Sequence, residues 1–189
     1  DRAAVIYEGK KLTFAEVSDH VNRLANSLAQ LGVKKGDRVA IVQVNCNQYV
    51  ESYYATARLG AIFVPLNFRA KSDELAYMLN YSEANVVLVG ERYLELAESI
   101  RSSLSTVKHF VSIDKKQPRM LFYEELISSG SPEEMFTEIS DDDPTILMFT
   151  AGTTGRPKGV PLLHKSFSVY VMDNVDPPDP EISEVNLLT

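Results

Sequence analysis

Apolar residues recur at alternating steps of three and four positions early in the chain. The pattern begins at Phe14 and runs to Leu31, and it is typical of an amphipathic helix with one buried face. Thr13 and Glu16 have the spacing of a capping box, which predicts that the helix starts just after Thr13. Gly32 stands where a C-terminal cap is expected.

Compact apolar runs then alternate with helical patterns along the chain. The runs predicted as strands are residues 39–44, 61–66, 85–89, 108–112 and 146–150. The helical patterns between them cover residues 45–59, 72–81 and 93–104. A short hairpin with Gly9 in its turn is predicted before the first helix. Strands that alternate with helices in this way indicate βαβ units, so the predicted fold class is α/β, a mostly parallel sheet covered by helices.

Residues 114–143 interrupt this alternation, because they are polar and contain Pro118, Gly130 and Pro132. We expect a connector within the domain, with a short helix near residues 122–127. The acidic run at residues 141–143 is interpreted as a solvated turn.

Charge and cysteine content exclude several classes of protein. The net charge of -7 argues against non-specific binding of nucleic acid, although local donors can still hold a nucleotide. The single cysteine, Cys46, excludes an intrachain disulfide, and we expect it to be a buried, unreactive side chain. The histidines have no metal-ligand spacing, and no apolar run approaches the ~18 residues of a membrane span. No metal site and no integral membrane association are therefore predicted.

The segment of residues 150–159, called the phosphate loop below, reads TAGTTGRPKG and follows the last predicted strand. Its three glycines allow the backbone to approach a ligand closely, and its threonines and backbone N–H groups can surround an anion. Arg156 and Lys158 supply positive charge, and Pro157 stiffens the segment between them. A flexible surface turn is the alternative, but the two cations and the flanking strands favour a polyphosphate site. The Walker A pattern fails, because Pro157 stands where its second glycine belongs.

The same string resembles the signature loop of the adenylate-forming superfamily, which includes acyl-CoA synthetases, luciferases and the adenylation domains of peptide synthetases. Further likeness extends along the chain in the family's order, at residues 12–16, 36–40, 59–61, 64–67, 74–79 and 164–166. The resemblance implies that residues 1–189 are the first part of the large N-terminal domain of such an enzyme. Since the chain begins with Asp1, we expect it to be part of a longer protein, without the family's C-terminal domain.

The resemblance also implies roles for the loop residues. Lys158 is the expected catalytic residue, because it would neutralise charge on the pyrophosphate leaving group. Many family members have serine where Ala151 stands, which removes one hydroxyl donor. Arg156 is expected to face solvent and His164 to begin a helix, whereas Tyr53, Tyr54 and Met148 are expected in the core. The residues expected to bind the nucleotide are Thr150, Ala151, Gly152, Thr153, Thr154, Gly155, Lys158 and Gly159.

The implied activity is the ATP-dependent activation of a carboxylic acid as an acyl-adenylate, followed by formation of the coenzyme A thioester. Asn67 favours acyl-CoA synthetases, because the peptide-synthetase branch usually has aspartate there. The alternatives are an adenylation domain that loads a carrier protein, and a non-catalytic nucleotide-binding module. The expected partners are ATP, Mg²⁺, coenzyme A and the acid, in the cytoplasm. Since the family's residues for adenine, ribose and Mg²⁺ lie further downstream, residues 1–189 alone are expected to be inactive.

Overall fold

The computed structural model describes residues 2–150 and 155–175. The strands are β1 (Ala3–Tyr7), β2 (Lys10–Thr13), β3 (Arg38–Val42), β4 (Ile62–Pro65), β5 (Val86–Val89), β6 (His109–Ser112), β7 (Leu121–Phe122), β8 (Pro144–Thr150) and β9 (Lys158–Leu163). The helices are α1 (Phe14–Gln30), α2 (Asn47–Arg58), α3 (Ser72–Ser82), α4 (Leu94–Ile100), α5 (Tyr123–Ser129) and α6 (His164–Asn174).

Seven of these strands form one sheet in the order β7-β6-β5-β3-β4-β8-β9 within the described residues. All neighbouring strands in it are parallel except β8 and β9, which form an antiparallel hairpin. The predicted α/β class with a mostly parallel sheet is therefore confirmed. β1 and β2 form a separate hairpin, as the turn at Gly9 predicts. The chain leaves β3 towards β4 and returns through α3 to β5, so the order of the sheet reverses between β3 and β5.

Helices cover both faces of the sheet, and alternate residues of each strand serve the two faces. On one face, Val39 and Ile41 of β3 pack with residues of α1, α2 and α5. On the other face, Ala40 and Val42 pack with residues of α3 and α4. A strand between two helical layers is buried on both sides, which explains why β3 and β5 appear in the sequence as continuous apolar runs.

The capping box of α1 is present. The backbone N–H of Glu16 donates to the Thr13 hydroxyl at 3.2 Å, and the Thr13 N–H donates to the Glu16 carboxylate at 2.7 Å. Gly32 follows the helix with φ of +90°, a conformation that suits glycine. Both ends of the helix are thus confirmed as predicted.

Residues 114–143 contain β7 and α5, and α5 confirms the short helix expected near residues 122–127. The segment is fixed to α1 by hydrogen bonds from Ser27 to the Leu126 carbonyl at 2.6 Å and from Arg23 to the Gly130 carbonyl at 3.0 Å. A Cβ atom at Gly130 would lie 2.1 Å from the Arg23 carbonyl oxygen, so the contact requires glycine. This part of the chain contributes Tyr123 to the same core as α1 and α2.

Two expected core residues are exposed. Tyr54 is 52% exposed and Met148 is 43% exposed, so their assignment to the core is wrong. Tyr53 is half-buried and packs edge-on against Phe63 at 5.8 Å between ring centroids. The helix expected over residues 93–104 is also shorter, because α4 lies between two 3₁₀ turns at Glu91–Tyr93 and Arg101–Ser103.

Cys46 is buried, as expected, and precedes α2. Burial raises the pKa of its thiol to about 11, with smaller contributions from Asp114 and Glu51, and hydrogen bonds from the start of α2 oppose the rise. A thiol with so high a pKa is almost entirely protonated at neutral pH, which fits an unreactive side chain.

Candidate functional site

The described residues of the phosphate loop lie where β8 ends and β9 begins, and these two strands form an antiparallel hairpin. The register pairs Phe149 with Gly159 and Thr150 with Lys158. Because β8 runs parallel to β4, paired at Phe63 and Ile146, Thr150 stands at the carboxyl end of a parallel strand. Ligands of open α/β sheets bind at this edge.

The structure describes four of the eight predicted site residues, namely Thr150, Gly155, Lys158 and Gly159. Ala151, Gly152, Thr153 and Thr154 lie outside the described residues. Of the four, Thr150 and Lys158 are brought together, because the Thr150 hydroxyl lies 3.5 Å from the Lys158 carbonyl oxygen.

Thr150 and Lys158 share one face of the hairpin, because directly opposite residues in antiparallel strands project to the same side. Phe149 and Gly159 share the opposite face, which packs on α3 through Tyr81. Thr150 and Lys158 are both exposed. The side chains of Thr150 and Lys158 therefore project from the same face of the hairpin, the one that points away from α3.

The same alternation explains Met148. It lies opposite Val160 on the face that carries Lys158, and both side chains are exposed, at 43% and 40%. The expectation of a core methionine followed the apolar composition of residues 146–150. In the structure that face is covered at the base of the hairpin, where Ile146 packs on the core with α1 and α2, but it is exposed further along at Met148 and Val160.

Two glycines of the loop have separate structural reasons. Gly155 has φ of +130°, which other residues rarely adopt. At Gly159 a Cβ atom would lie 2.9 Å from Cε1 of Tyr81, so the backbone of β9 approaches α3 closely and the Tyr81 ring would have to shift to admit an alanine. Arg156 is exposed, as expected, and its guanidinium carbon lies 5.1 Å from the centroid of the Tyr77 ring.

The acidic run holds the base of the hairpin together. The carboxylate of Asp143 accepts hydrogen bonds from the Ser140 N–H and pairs with Lys35, each at 2.7 Å. The hydrogen bond from Lys35 and the one from Ser140 hold the pKa of Asp143 below its usual value. The Asp143 carbonyl accepts a hydrogen bond from the N–H of His164, the first residue of α6, at 3.1 Å. The run is thus a turn, and His164 begins a helix as predicted.

A buried polar cluster was not found from the sequence. The Glu51 side chain is 1% exposed, and its carboxylate receives the Tyr123 hydroxyl at 2.6 Å and the Asn47 amide at 3.0 Å. His20 lies 3.1 Å from the same carboxylate. The cluster joins α1, α2 and α5, and a glutamate on the buried face of α2 was the only sequence feature that pointed to it.

A shallow cleft of about 400 Å³ lies at the carboxyl ends of β3, β5 and β6, where the strand order reverses. The polar groups of its wall are hydrogen-bonded to one another. The Gln43 amide donates to the Asp114 carboxylate at 3.2 Å, and the same carboxylate accepts the Glu91 N–H at 2.6 Å. Gly90 approaches this wall closely, since a Cβ atom there would lie 2.4 Å from the Gln43 amide carbon and the amide would have to shift.

Among residues 2–150 and 155–175, no group of three or more histidine, cysteine, aspartate or glutamate side chains could hold a metal ion. No helix in the same part of the chain is long and apolar enough to cross a membrane.

The fold and the hairpin define an α/β domain with a glycine-rich, lysine-bearing loop at the carboxyl edge of its sheet. The chain belongs to the family of AMP-binding enzymes, and the sequence model of this family matches residues 1–183. The predicted membership of the adenylate-forming superfamily is confirmed.

Named relatives of the chain are CoA ligases. It is 37% identical over 164 residues to the long-chain-fatty-acid–CoA ligase of Thermus thermophilus, covering 86% of this chain and 30% of that protein. It is 32% identical over 174 residues to the crotonobetaine/carnitine–CoA ligase of Salmonella agona, covering 87% of this chain and 34% of that protein. The chain thus spans about a third of the length of the curated relatives it matches.

A solved structure shares the fold closely. The anthranilate CoA ligase AuaEII, crystallised with anthranoyl-AMP, aligns with a TM-score of 0.88 at 31% identity. The alignment covers 91% of this chain and 33% of that one. The anthranoyl-AMP in that crystal is bound by the anthranilate enzyme.

Proposed function

We propose that this chain is the phosphate-binding part of an ATP-dependent acyl-CoA synthetase. The observation that carries the proposal is the pairing of Thr150 with Lys158 at the tip of the hairpin, on one exposed face at the carboxyl edge of the sheet. The naming of the relatives as CoA ligases supports the same activity. The substrates in this proposal are ATP, a carboxylic acid and coenzyme A, and the cytoplasm is the proposed location because it supplies all three.

The first step would need no nucleophile from the protein. An oxygen of the substrate carboxylate attacks the α-phosphorus of ATP, the bond to the β-phosphate breaks, and pyrophosphate leaves with the bonding electrons. The negative charge that develops on the leaving oxygen would be stabilised by the ammonium group of Lys158. In the second step the thiolate of coenzyme A attacks the acyl carbon, and AMP leaves.

The remaining loop residues would hold the β- and γ-phosphates in place. Thr150, Thr153 and Thr154 would donate hydroxyl hydrogen bonds, and the backbone N–H groups of Ala151, Gly152, Gly155 and Gly159 would line the anion site. Ala151 itself offers only its backbone, so one hydroxyl donor fewer is available than in relatives with serine there. Charge-assisted hydrogen bonds contribute about 1.5–3 kcal/mol each, so this change alone would weaken ATP binding without abolishing it.

Mg²⁺ would enter the site with the phosphates of ATP and offset part of their charge. The carboxylates in the described part of the chain form no cluster around the hairpin that could hold the ion. We therefore assign none of them to the metal, and no step of the proposal depends on one.

The choice of coenzyme A as thiol acceptor rests on the relatives. Asn67 favours the same acceptor by resemblance alone; in the structure its side-chain oxygen accepts the Arg69 N–H at 3.0 Å and so forms a local turn. An aspartate would form the same turn, as Asn and Asp are equally suited to it.

The proposal is tested by carboxylate-dependent ATP–pyrophosphate exchange on the full-length protein, with a panel from acetate through long fatty acids to aryl acids. Exchange with one class of acid, followed by thioester formation on addition of coenzyme A, is expected. Exchange without transfer to coenzyme A, but with transfer to a carrier protein, would show that the thiol acceptor is the carrier protein and not coenzyme A. Binding of Mg-ATP without exchange on any acid would indicate a non-catalytic nucleotide-binding module.

The isolated segment of residues 1–189 is expected to give no acyl-AMP, because it spans only about a third of its relatives. Sustained carboxylate-dependent formation of AMP by the purified segment would contradict this expectation.

A further inference from the structure

Lys158 lies between two residues that contact the same helix. On one side, the guanidinium carbon of Arg156 lies 5.1 Å from the centroid of the Tyr77 ring. On the other side, Gly159 approaches Tyr81 so closely that a Cβ atom would lie 2.9 Å from its ring. Both tyrosines belong to α3, so the backbone that carries Lys158 is attached to α3 before and after the lysine.

Tyr77 and Tyr81 act as one surface. They are four residues apart, which places them on the same side of α3, and their ring centroids are 5.7 Å apart. Tyr81 in turn meets Phe149 of β8 edge-on, with centroids 5.8 Å apart and the rings inclined at 72°. Phe149 is paired with Gly159 in the hairpin, so the tyrosine pair contacts both strands next to the loop.

The helix that carries this surface is firmly held. Leu75, Met78 and Leu79 of α3 are each at most 1% exposed in the core beneath the sheet. A contact with α3 therefore fixes the loop to the rigid part of the domain, because core side chains are close-packed and move little.

The charges beside Arg156 do not suit a phosphate. The cleft of about 700 Å³ between α3 and the loop is lined by Arg156, Tyr77 and the carboxylate residues Asp73 and Glu74 of the first turn of α3. Two carboxylates would repel a polyphosphate, while they favour a guanidinium placed over the tyrosine ring. Lys158 lies on the hairpin face that points away from α3, so the two cations of the loop have different surroundings.

We propose that Arg156 is a positioning residue, whose guanidinium on the Tyr77 ring holds the loop against α3 and thereby fixes Lys158 for contact with the phosphates. The geometry gives Arg156 this role in place of phosphate binding. The proposal rests on the proposed function only for its consequence in catalysis; the contact itself can be tested without ATP.

The first measurement needs no substrate. A lysine-specific endoprotease cuts after Lys158, and the rate of this cut in the native full-length protein, measured by mass spectrometry, reports how often the loop leaves α3. Arg156→Gln and Tyr77→Leu are each expected to speed the cut about twofold to fivefold, the range that a cation–π contact at an exposed site supports. Tyr77→Phe keeps the ring, and this variant is expected to be cleaved after Lys158 at the wild-type rate.

The second measurement is the KM for ATP in pyrophosphate exchange. Arg156→Gln and Tyr77→Leu are expected to raise it about twofold to fivefold and to leave the KM for the acid unchanged. The double variant is expected to be no worse than either single variant, because both remove one contact. Arg101→Gln is the matched control, since its guanidinium lies 3.7 Å from the Phe110 ring and Phe110 belongs to β6, on the far side of β5 and β3 from the hairpin.

The outcomes separate the two proposals. Unchanged cleavage after Lys158 in both variants, at an unchanged midpoint of unfolding, overturns the role of Arg156 whatever the exchange assay shows. Faster cleavage with an unchanged KM for ATP overturns the link to Lys158. If the variants are cleaved faster but the wild type shows no pyrophosphate exchange with any acid, the contact between Arg156 and Tyr77 is supported and the proposed function is contradicted.

Discussion

The hydroxyl of Tyr123 donates a 2.6 Å hydrogen bond to the carboxylate of Glu51, and this bond joins α5 to α2 in the core. The two residues are 72 positions apart in the chain. Burial, with the neighbouring Glu51 charge, raises the pKa of Tyr123 well above 10, so its hydroxyl keeps its proton and remains a donor. A buried carboxylate is tolerated only when such donors surround it.

Tyr123→Phe is therefore expected to destabilise the protein. It removes one donor to a buried charge and leaves that oxygen unpaired, which costs about 1.5–3 kcal/mol in the free energy of unfolding. Chemical denaturation measures the loss, with Tyr54→Phe as the control, because the Tyr54 side chain is 52% exposed. Equal stabilities of the two variants would show that Glu51 does not depend on this bond.

The ion pair between Lys35 and Asp143 should make the stability of the protein depend on pH. The folded protein lowers the pKa of Asp143, chiefly through the hydrogen bond from Lys35, so the carboxylate stabilises the fold above its unfolded pKa. This contribution is lost as the pH falls through the lowered pKa of the folded state.

Unfolding midpoints of the wild type and Asp143→Asn measure this contribution between neutral pH and about pH 2. The variant is expected to be less stable at neutral pH, and the difference should close in acid. Because the pair is partly exposed, the difference should also shrink at high salt. A difference that stays constant with pH would mean that the charge of Asp143 plays no part.

Cys46 is expected to react slowly with alkylating reagents. With its pKa raised to about 11, the thiol of the folded protein carries much less thiolate at pH 8.5 than an exposed cysteine does. The difference in thiolate alone predicts a rate about 100-fold lower in the native than in the unfolded protein. Peptide mass spectrometry of Cys46 after timed iodoacetamide treatment measures both rates, and comparable rates would contradict the burial of the thiol.

The sequence predicted the elements whose pattern is local. The helix after Thr13 followed from apolar spacing and a capping box, and the parallel strands followed from short apolar runs between helices. The segment of residues 150–159 stood out because its glycines, threonines and lysine are contiguous, and its role in phosphate binding stays a prediction.

Features that depend on distant parts of the chain were not found. The partner of Glu51 is Tyr123, and no local pattern links them. The partner of Arg156 is Tyr77, so the sequence showed a solvated arginine where the structure has a ring contact. Met148 was misassigned for a related reason, since the uncovered face of the hairpin follows from its pairing with β9 and not from the composition of β8.

The most direct measurement of the central claim is pyrophosphate exchange by the full-length protein carrying Lys158→Ala. Lys116→Ala is the control, because Lys116 is 70% exposed on the polar segment of residues 114–143. Loss of one preorganised donor to a developing charge costs about 10²- to 10³-fold in rate, so exchange should fall by that factor in the first variant and stay at the wild-type rate in the second. Unchanged exchange in Lys158→Ala would contradict the assignment of this hairpin as the phosphate site.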